Sequence, residues 1–201
     1  TWLALHRRGR FATVTNYRGA KAESGDKESR GHLVTGDLES DLGALDYLRT
    51  IESRRYAGFN LLVSDGDELA YTSNRGAPAA RLEPGLYGLS NAALDTPWSK
   101  VERSKASVRL AMEHGSLDEP ALFEILGDRS RGPAAEAETD RLPFASAHAL
   151  TAPFVMLPGY GTRSSSIVIR DVDANWKFVE RRFGPDGNVA GETRQSFPAQ
   201  E

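Results

Sequence analysis

Cysteine is absent from this sequence of 201 residues. That excludes disulfides, thiolate metal sites and a cysteine nucleophile within the chain, and it suits a reducing cytoplasm. Histidine is scarce. His6, His32, His114 and His148 show no paired i, i+4 spacing, so no metal site is expected. Long apolar runs are missing too: none approaches the ~20 residues of a membrane-crossing helix, so no transmembrane segment is expected. Basic charge is not in excess. There are 25 Lys and Arg against 28 Asp and Glu, a net charge of -3, and the two signs are interspersed. This lacks the basic footprint of a nucleic-acid binder. The short run Arg7, Arg8, Arg10 reads as a solvated hairpin. No P-loop or dinucleotide fingerprint is present. GPDGNVAG at 184–191 is glycine-rich, but it links two expected strands and opens no helix, so it lacks the context for phosphate.

The length fits a single domain over 1–201, able to bury about 70% of its unfolded surface without metal or disulfide. Strands are expected at Trp2 to Leu5 and Arg10 to Thr15 around the turn Arg7-Arg8-Gly9. The polar, glycine-rich residues 19–31 read as a loop. Leu42, Leu45, Leu48 and Ile51 are spaced by three, which predicts one amphipathic helix over 39–55. The clearest hairpin joins Gly58–Val63 to Glu68–Ser73 through a turn-rich SDGDE stretch. Leu86 to Ser90 reads as a short strand and 99–114 as a helix. Asp118 caps a further helix, with Pro120 in its first turn and Leu122, Ile125 and Leu126 facing inward; Gly127 ends it. Residues 128–148 read as a long, irregular, exposed connection. Three strands follow, at Ser165 to Arg170, Trp176 to Arg182 and Glu192 to Phe197, separated by DVDAN and GPDGN. This order of strands, helices and strands predicts an α+β fold with antiparallel sheets.

Several segments carry a resemblance. They are TWLALHRRGRFATVTNYR at the start, SRG at 29–31, YAGFNLLVSDGDELAYTSNR at 56–75, GLYGLSNAALDTPWSKV at 85–101, YGTRSSSIVI at 160–169 and FVERRF at 178–183. In that order they resemble the NRDE family, that of the transport and Golgi organisation 2 proteins, along nearly the whole chain. GRFATVTNYR, GLSNAALDTPWSKV and YGTRSS together are specific. The family begins with Met-Cys and carries an NRDE tetrapeptide; neither occurs here. The chain opens with Thr1 as though inside a strand, so an N-terminal segment is expected to be missing. Thr1 is then a truncation point rather than a terminal-threonine nucleophile.

The resemblance implies an incomplete αββα sandwich of two antiparallel sheets, similar to the N-terminal-nucleophile hydrolases of the cysteine type. In such enzymes a terminal thiolate attacks an amide carbonyl, while backbone N–H groups and an Asn amide hold the oxyanion. Asn91, in GLSNAALD, is the candidate amide donor; it reads equally well as a turn residue. Asn16 and Tyr17 end the second strand, Asn16 as an oxyanion contact or a strand cap. Arg18 beside them could pair with a carboxylate or phosphate, or form a surface ion pair. Arg163, in YGTRSSS, is read as a site residue in preference to a brace for Glu180. Asn16, Asn91 and Arg163 are expected to share one cleft. Tyr17, Arg18 and Tyr160 are expected to contact a ligand. Asn74 and Arg75 read as a turn, and Trp98 as core. The implied function is binding or trafficking of a small hydrophobic anion, such as haem as a carried ligand or an acyl-coenzyme A. The alternative is a cysteine amidohydrolase or acyltransferase whose nucleophile lies outside this chain.

Overall fold

The computed structural model describes residues 1–18, 26–138 and 142–198. Residues 19–25, most of the expected glycine-rich loop, lie outside the described residues.

The first half of the chain builds a five-stranded antiparallel sheet in the order β1 (Leu3–Leu5), β2 (Phe11–Asn16), β3 (Phe59–Ser64), β4 (Leu69–Ser73), β5 (Ala77–Arg81). Alternation sorts its side chains by face. Ala12, Val14, Phe59, Leu61, Val63 and Ala70 are buried on one face, under α1 (Gly31–Glu39) and α2 (Ala44–Thr50). Leu33, Val34, Tyr47 and Leu48 supply the helical side of that core. The β1–β2 turn closes on Gly9, whose φ of 83° favours glycine.

The second half holds α3 (Ser99–Glu113), α4 (Glu119–Leu126), α5 (Phe144–Ala149), the small hairpin β6 (Met156–Leu157) with β7 (Tyr160–Gly161), and a three-stranded antiparallel sheet. That sheet is ordered β10 (Val189–Phe197), β9 (Trp176–Phe183), β8 (Ser164–Arg170). Phe123 of α4 packs on Ile167 and Val179, forming a second, smaller core. Asp118 caps α4 as expected, its Oδ1 accepting from the Ala121 N–H at 2.9 Å.

The fold is therefore α+β with antiparallel sheets, and most strands lie where the turn signals put them. Five expectations change. In place of the single helix expected over 39–55, α1 ends at Glu39, α2 runs Ala44–Thr50 and a 3₁₀ turn follows at Ser53–Arg55. Gly43 separates the helices, and two carboxylates from the β3–β4 turn hold the start of α2: Asp65 Oδ2 accepts from Ala44 N at 2.7 Å and Glu68 Oε1 from Leu45 N at 2.9 Å. The inward stripe is then Ala44, Tyr47, Leu48 and Ile51, and Leu42 is 45% exposed. The edge strand after β4 is Ala77–Arg81 rather than Leu86–Ser90, which is irregular. In α4, Phe123 is the buried residue and Leu126 is exposed. Residues 128–148 are mostly irregular and exposed among the described residues, as expected, but they also hold a 3₁₀ turn and most of α5, with Gly132 and Ala147 buried; 139–141 lie outside the described residues.

The fifth change concerns Arg10. It is buried rather than solvated. Its Nη2 meets Asp37 Oδ1 at 2.8 Å, its Nε donates to Asp37 O at 3.0 Å and its Nη1 donates to Leu42 O at 2.9 Å. Asp37 is fully buried, and burial pushes its carboxyl above the ordinary value, with Arg10 pulling the other way. The pair joins the start of β2 to the end of α1 and the link into α2.

Candidate ligand site

The face of the large sheet away from α1 and α2 is polar at its centre. Thr15, Asn60 and Tyr71 share that face by register. Asn60 is fully buried and saturated: its Nδ2 donates to Thr15 Oγ1 and to Ala92 O at 2.9 Å, and its Oδ1 accepts from Tyr71 OH at 2.8 Å. Thr15 Oγ1 donates to Ser90 O at 2.8 Å, and Leu94 N donates to Tyr71 OH at 3.3 Å. Three strand side chains thus hold down the segment 88–95. Asp95 closes that segment by accepting from Gly88 N at 2.8 Å and pairing with Lys105 at 2.6 Å. Gly88 has to be small: a Cβ there would stand 2.5 Å from Val101 Cγ1 of α3.

This clamp lays Asn91 against the end of β2. Asn91 Nδ2 donates to Asn16 O at 3.0 Å, and Arg18 N donates to Asn91 O at 2.5 Å. Tyr17 N donates to Gly58 O at 3.0 Å. Asn16, Arg18 and Asn91 therefore meet, 75 residues apart in sequence for the asparagine pair. The Asn91 amide is committed to a backbone carbonyl and would have to leave it before serving an oxyanion.

The chain then passes from the clamp to Trp98 and into α3. The Arg18 guanidinium lies 5.6 Å from the Trp98 ring centroid and the Lys100 ammonium 5.2 Å from it, both within cation–π range. Trp98 is half-buried between cations rather than part of the apolar core. Lys100 Nζ also donates to Leu150 O at 3.2 Å. Burial, and then repulsion from Arg18, hold the Lys100 amine down at about 8, with Glu138 and Glu136 pulling back. Among the described residues the Arg18 side chain makes no hydrogen bond or ion pair; it lies over the indole. At the start of α3 the Glu136 carboxylate takes both free donors of Ser99: the backbone N–H at 3.1 Å and the hydroxyl. An anion at that helix end is where the dipole favours one.

Arg163 and Tyr160 line a cavity of about 130 Å³ together with Phe154, Met156, Leu157 and Pro185, and neither Asn16 nor Asn91 is among its walls. Arg163 is exposed and does not brace Glu180, which accepts from Ser166 Oγ at 3.2 Å instead. Arg129 reaches over Phe154, 5.0 Å from its ring, and donates to Gly187 O. Asn74 is a turn residue, as expected: its Oδ1 accepts from Phe59 N at 2.8 Å and its Nδ2 points to the carbonyls of Ser53, Tyr56 and Ala57. Among the described residues, no cluster of His, Asp and Glu could hold a metal, and no helix is long and apolar enough to cross a membrane. The residue that sequence reasoning missed is Lys100. Its sequence neighbours give no signal, because Arg18 and Leu150 reach it from distant segments.

Fold and site together define a class: an α+β protein of antiparallel sheets, with a cation–aromatic cluster where a pinned loop meets a strand end. The chain belongs to the transport and Golgi organisation 2 family, whose model matches residues 1–185. It is 36% identical over 223 aligned positions to the human transport and Golgi organization protein 2 homolog, covering 96% of this chain and 76% of that protein. To the Bos taurus homolog it is 37% identical over 219 positions, covering 100% and 78%. To the Mus musculus homolog it is 34% identical over 197 positions, covering 90% and 71%.

Proposed function

We propose that this protein binds and carries a hydrophobic anionic ligand, of the chemistry of haem or an acyl-coenzyme A, at the cluster of Arg18, Trp98 and Lys100. The observation that carries this reading is the Arg18 guanidinium, which rests on an indole beside a second cation and has no carboxylate partner among the described residues. Two cations held together with no direct ion pair to a carboxylate among the described residues favour an incoming carboxylate or phosphate. Trp98 gives the ligand an apolar surface next to that charge. Asn16, Tyr17 and Asn91 are the scaffold that fixes Arg18. Tyr160 and Arg163 offer a second contact, but their cavity is well below the roughly 300–1,000 Å³ of sites for larger ligands, so it takes one end of a molecule at most. The relatives' names speak of transport, which agrees with a carrier. The helix-backed antiparallel sheets also support descent from an αββα sandwich of the N-terminal-nucleophile hydrolase kind.

The test is titration with haem, followed by its Soret band, and with palmitoyl-coenzyme A, followed by calorimetry. Arg18→Met should weaken the ligand that belongs here by roughly tenfold to a hundredfold, the worth of one hydrogen bond to a charged group. Binding of neither ligand, or binding indifferent to Arg18→Met, would overturn the reading.

A further inference from the structure

We propose that Lys100 is a nucleophilic acceptor amine, which takes an acyl group from a thioester donor that carries phosphate. This deepens the reading of the Arg18 cluster and rests on it. The described lysines differ in their partners. Lys105 sits 2.6 Å from Asp95 and Lys177 sits 2.7 Å from Glu119, so both are ion-paired with carboxylates. Lys27 donates to Arg54 O at 2.8 Å on the exposed surface. Lys100 alone among them is set against an indole and a backbone carbonyl, with an arginine next to it. The charged groups acting on it are Arg18 from the end of β2 and Glu136 and Glu138 from the segment before α5, and burial together with Arg18 outweighs the carboxylates.

The free amine is therefore abundant at pH 8, where an ordinary lysine with a pKa of about 10.4 is almost wholly protonated. Arg18, on the same ring, is placed to hold a phosphate of the donor. In the step itself the neutral Lys100 nitrogen attacks the thioester carbonyl carbon. The C–N bond forms, the C–S bond breaks, the thiolate departs and the extra proton on nitrogen passes to solvent or to that thiolate. The product is an amide, and no oxidant, reductant or further reactant is required.

The experiment incubates the protein at pH 8 with acetyl-coenzyme A or with the acetyl thioester of N-acetylcysteamine, which has no phosphate. Occupancy at each lysine is read by peptide mass spectrometry over time. With acetyl-coenzyme A, Lys100 should label about tenfold faster than Lys105 or Lys177, and its rate should rise to a plateau above about pH 8 as the free amine fills. The phosphate-free thioester should label Lys100 more slowly, and Arg18→Met should abolish the difference between donors. Labelling of Lys100 no faster than of Lys105 and Lys177 overturns the proposal. Equal rates from both donors, unchanged in Arg18→Met, overturn the assignment of a phosphate-bearing donor. The binding reading is scored separately, by calorimetry of palmitoyl-coenzyme A with the natural protein: binding without preferential labelling of Lys100 overturns the acceptor claim alone, whereas absence of binding overturns both.

Discussion

Arg10, buried, and Lys100, half-buried, are two cations with opposite consequences. Arg10 answers the fully buried carboxylate of Asp37 and two backbone carbonyls. Arg10→Met would leave Asp37 unpaired in the core, so a loss of about 3–5 kcal/mol is expected in urea unfolding; an unchanged midpoint would show that water reaches Asp37. Lys100 has no such partner, and its charged form is held at a cost. Its amine sits at about 8 in the fold against 10.5 unfolded. Between those values the unfolded chain binds more protons, so stability rises with pH there and the cost is fully present below about 8. Lys100→Met should therefore melt higher than the natural protein at pH 7. The gap should narrow as pH climbs from about 8 to 10.5. A gap that is constant with pH would mean the benefit is packing rather than removal of a desolvated charge. Neither role is legible in the sequence. Arg10 stands in a basic run that suggests solvent, and its acceptor Asp37 is 27 residues away. The short-range pattern around Lys100 describes only the first turn of a helix.

Elements were legible wherever alternation and turn chemistry agreed. β2, β3, β4, β8 and β9 lie within a residue or two of the spans their apolar alternation and flanking glycine or aspartate indicated. α1 was hidden because one of its inward positions is a charge: the buried set is Leu33, Val34 and Asp37, so the apolar stripe ends a turn early. The extent of α2 was overstated because Leu42 continues the spacing of three while the backbone is interrupted at Gly43. The expectation of a shared cleft joined Asn16 and Asn91 to Arg163 through the resemblance rather than any periodicity; Asn91 does touch Asn16 and Arg18, Arg163 lines a cavity whose walls include neither asparagine, and the clamp that holds Asn91 depends on Asn60, which alternation marks only as an outward residue. Helix α3 has no cap from its own N-terminal residue, Trp98, and takes its cap from Glu136 instead. Glu136→Ala should cost about 1 kcal/mol, as loss of an N-cap does. It should also raise amide exchange in the first turn of α3 without touching α4. Equal loosening of both helices would show that Glu136 acts on the whole segment and not on that helix end.

The two sheets are unequally supported across the molecule. The five-stranded sheet has a continuous core with two helices laid on it, while the three-stranded sheet packs Ile167 and Val179 on Phe123 of α4 in a smaller cluster, with Leu122 and Ile169 against it. The indole of Trp176 lies against Gly9 and ties the smaller sheet to the β1–β2 turn of the larger. Beside that packing, ion pairs fasten α4 to β10 and β9. Glu119 is 2.6 Å from Arg194 on β10 and 2.7 Å from Lys177 on β9, and its side chain is only 12% exposed. Hydrogen bonds from Arg194 first, and then from Lys177, hold its carboxyl down at about 2, from an ordinary 4.5. For a carboxylate depressed in the fold, the stabilisation is fully present above the unfolded value and is lost as pH falls through the folded one. The α4 clamp should therefore be intact at neutral pH and weaken progressively from about 4.5 down to about 2. Comparing the melting temperatures of the natural protein and Glu119→Gln across that range measures it. The variant should melt lower at pH 6, and the two curves should converge as the pH approaches about 2. Hydrogen exchange at pH 6 should place the loss in β8, β9, β10 and α4, with β2, β3 and β4 unchanged. Curves that stay parallel to acid, or exchange that rises equally in both sheets, would mean that Glu119 contributes no pH-dependent link and that the smaller sheet is held by its packing alone.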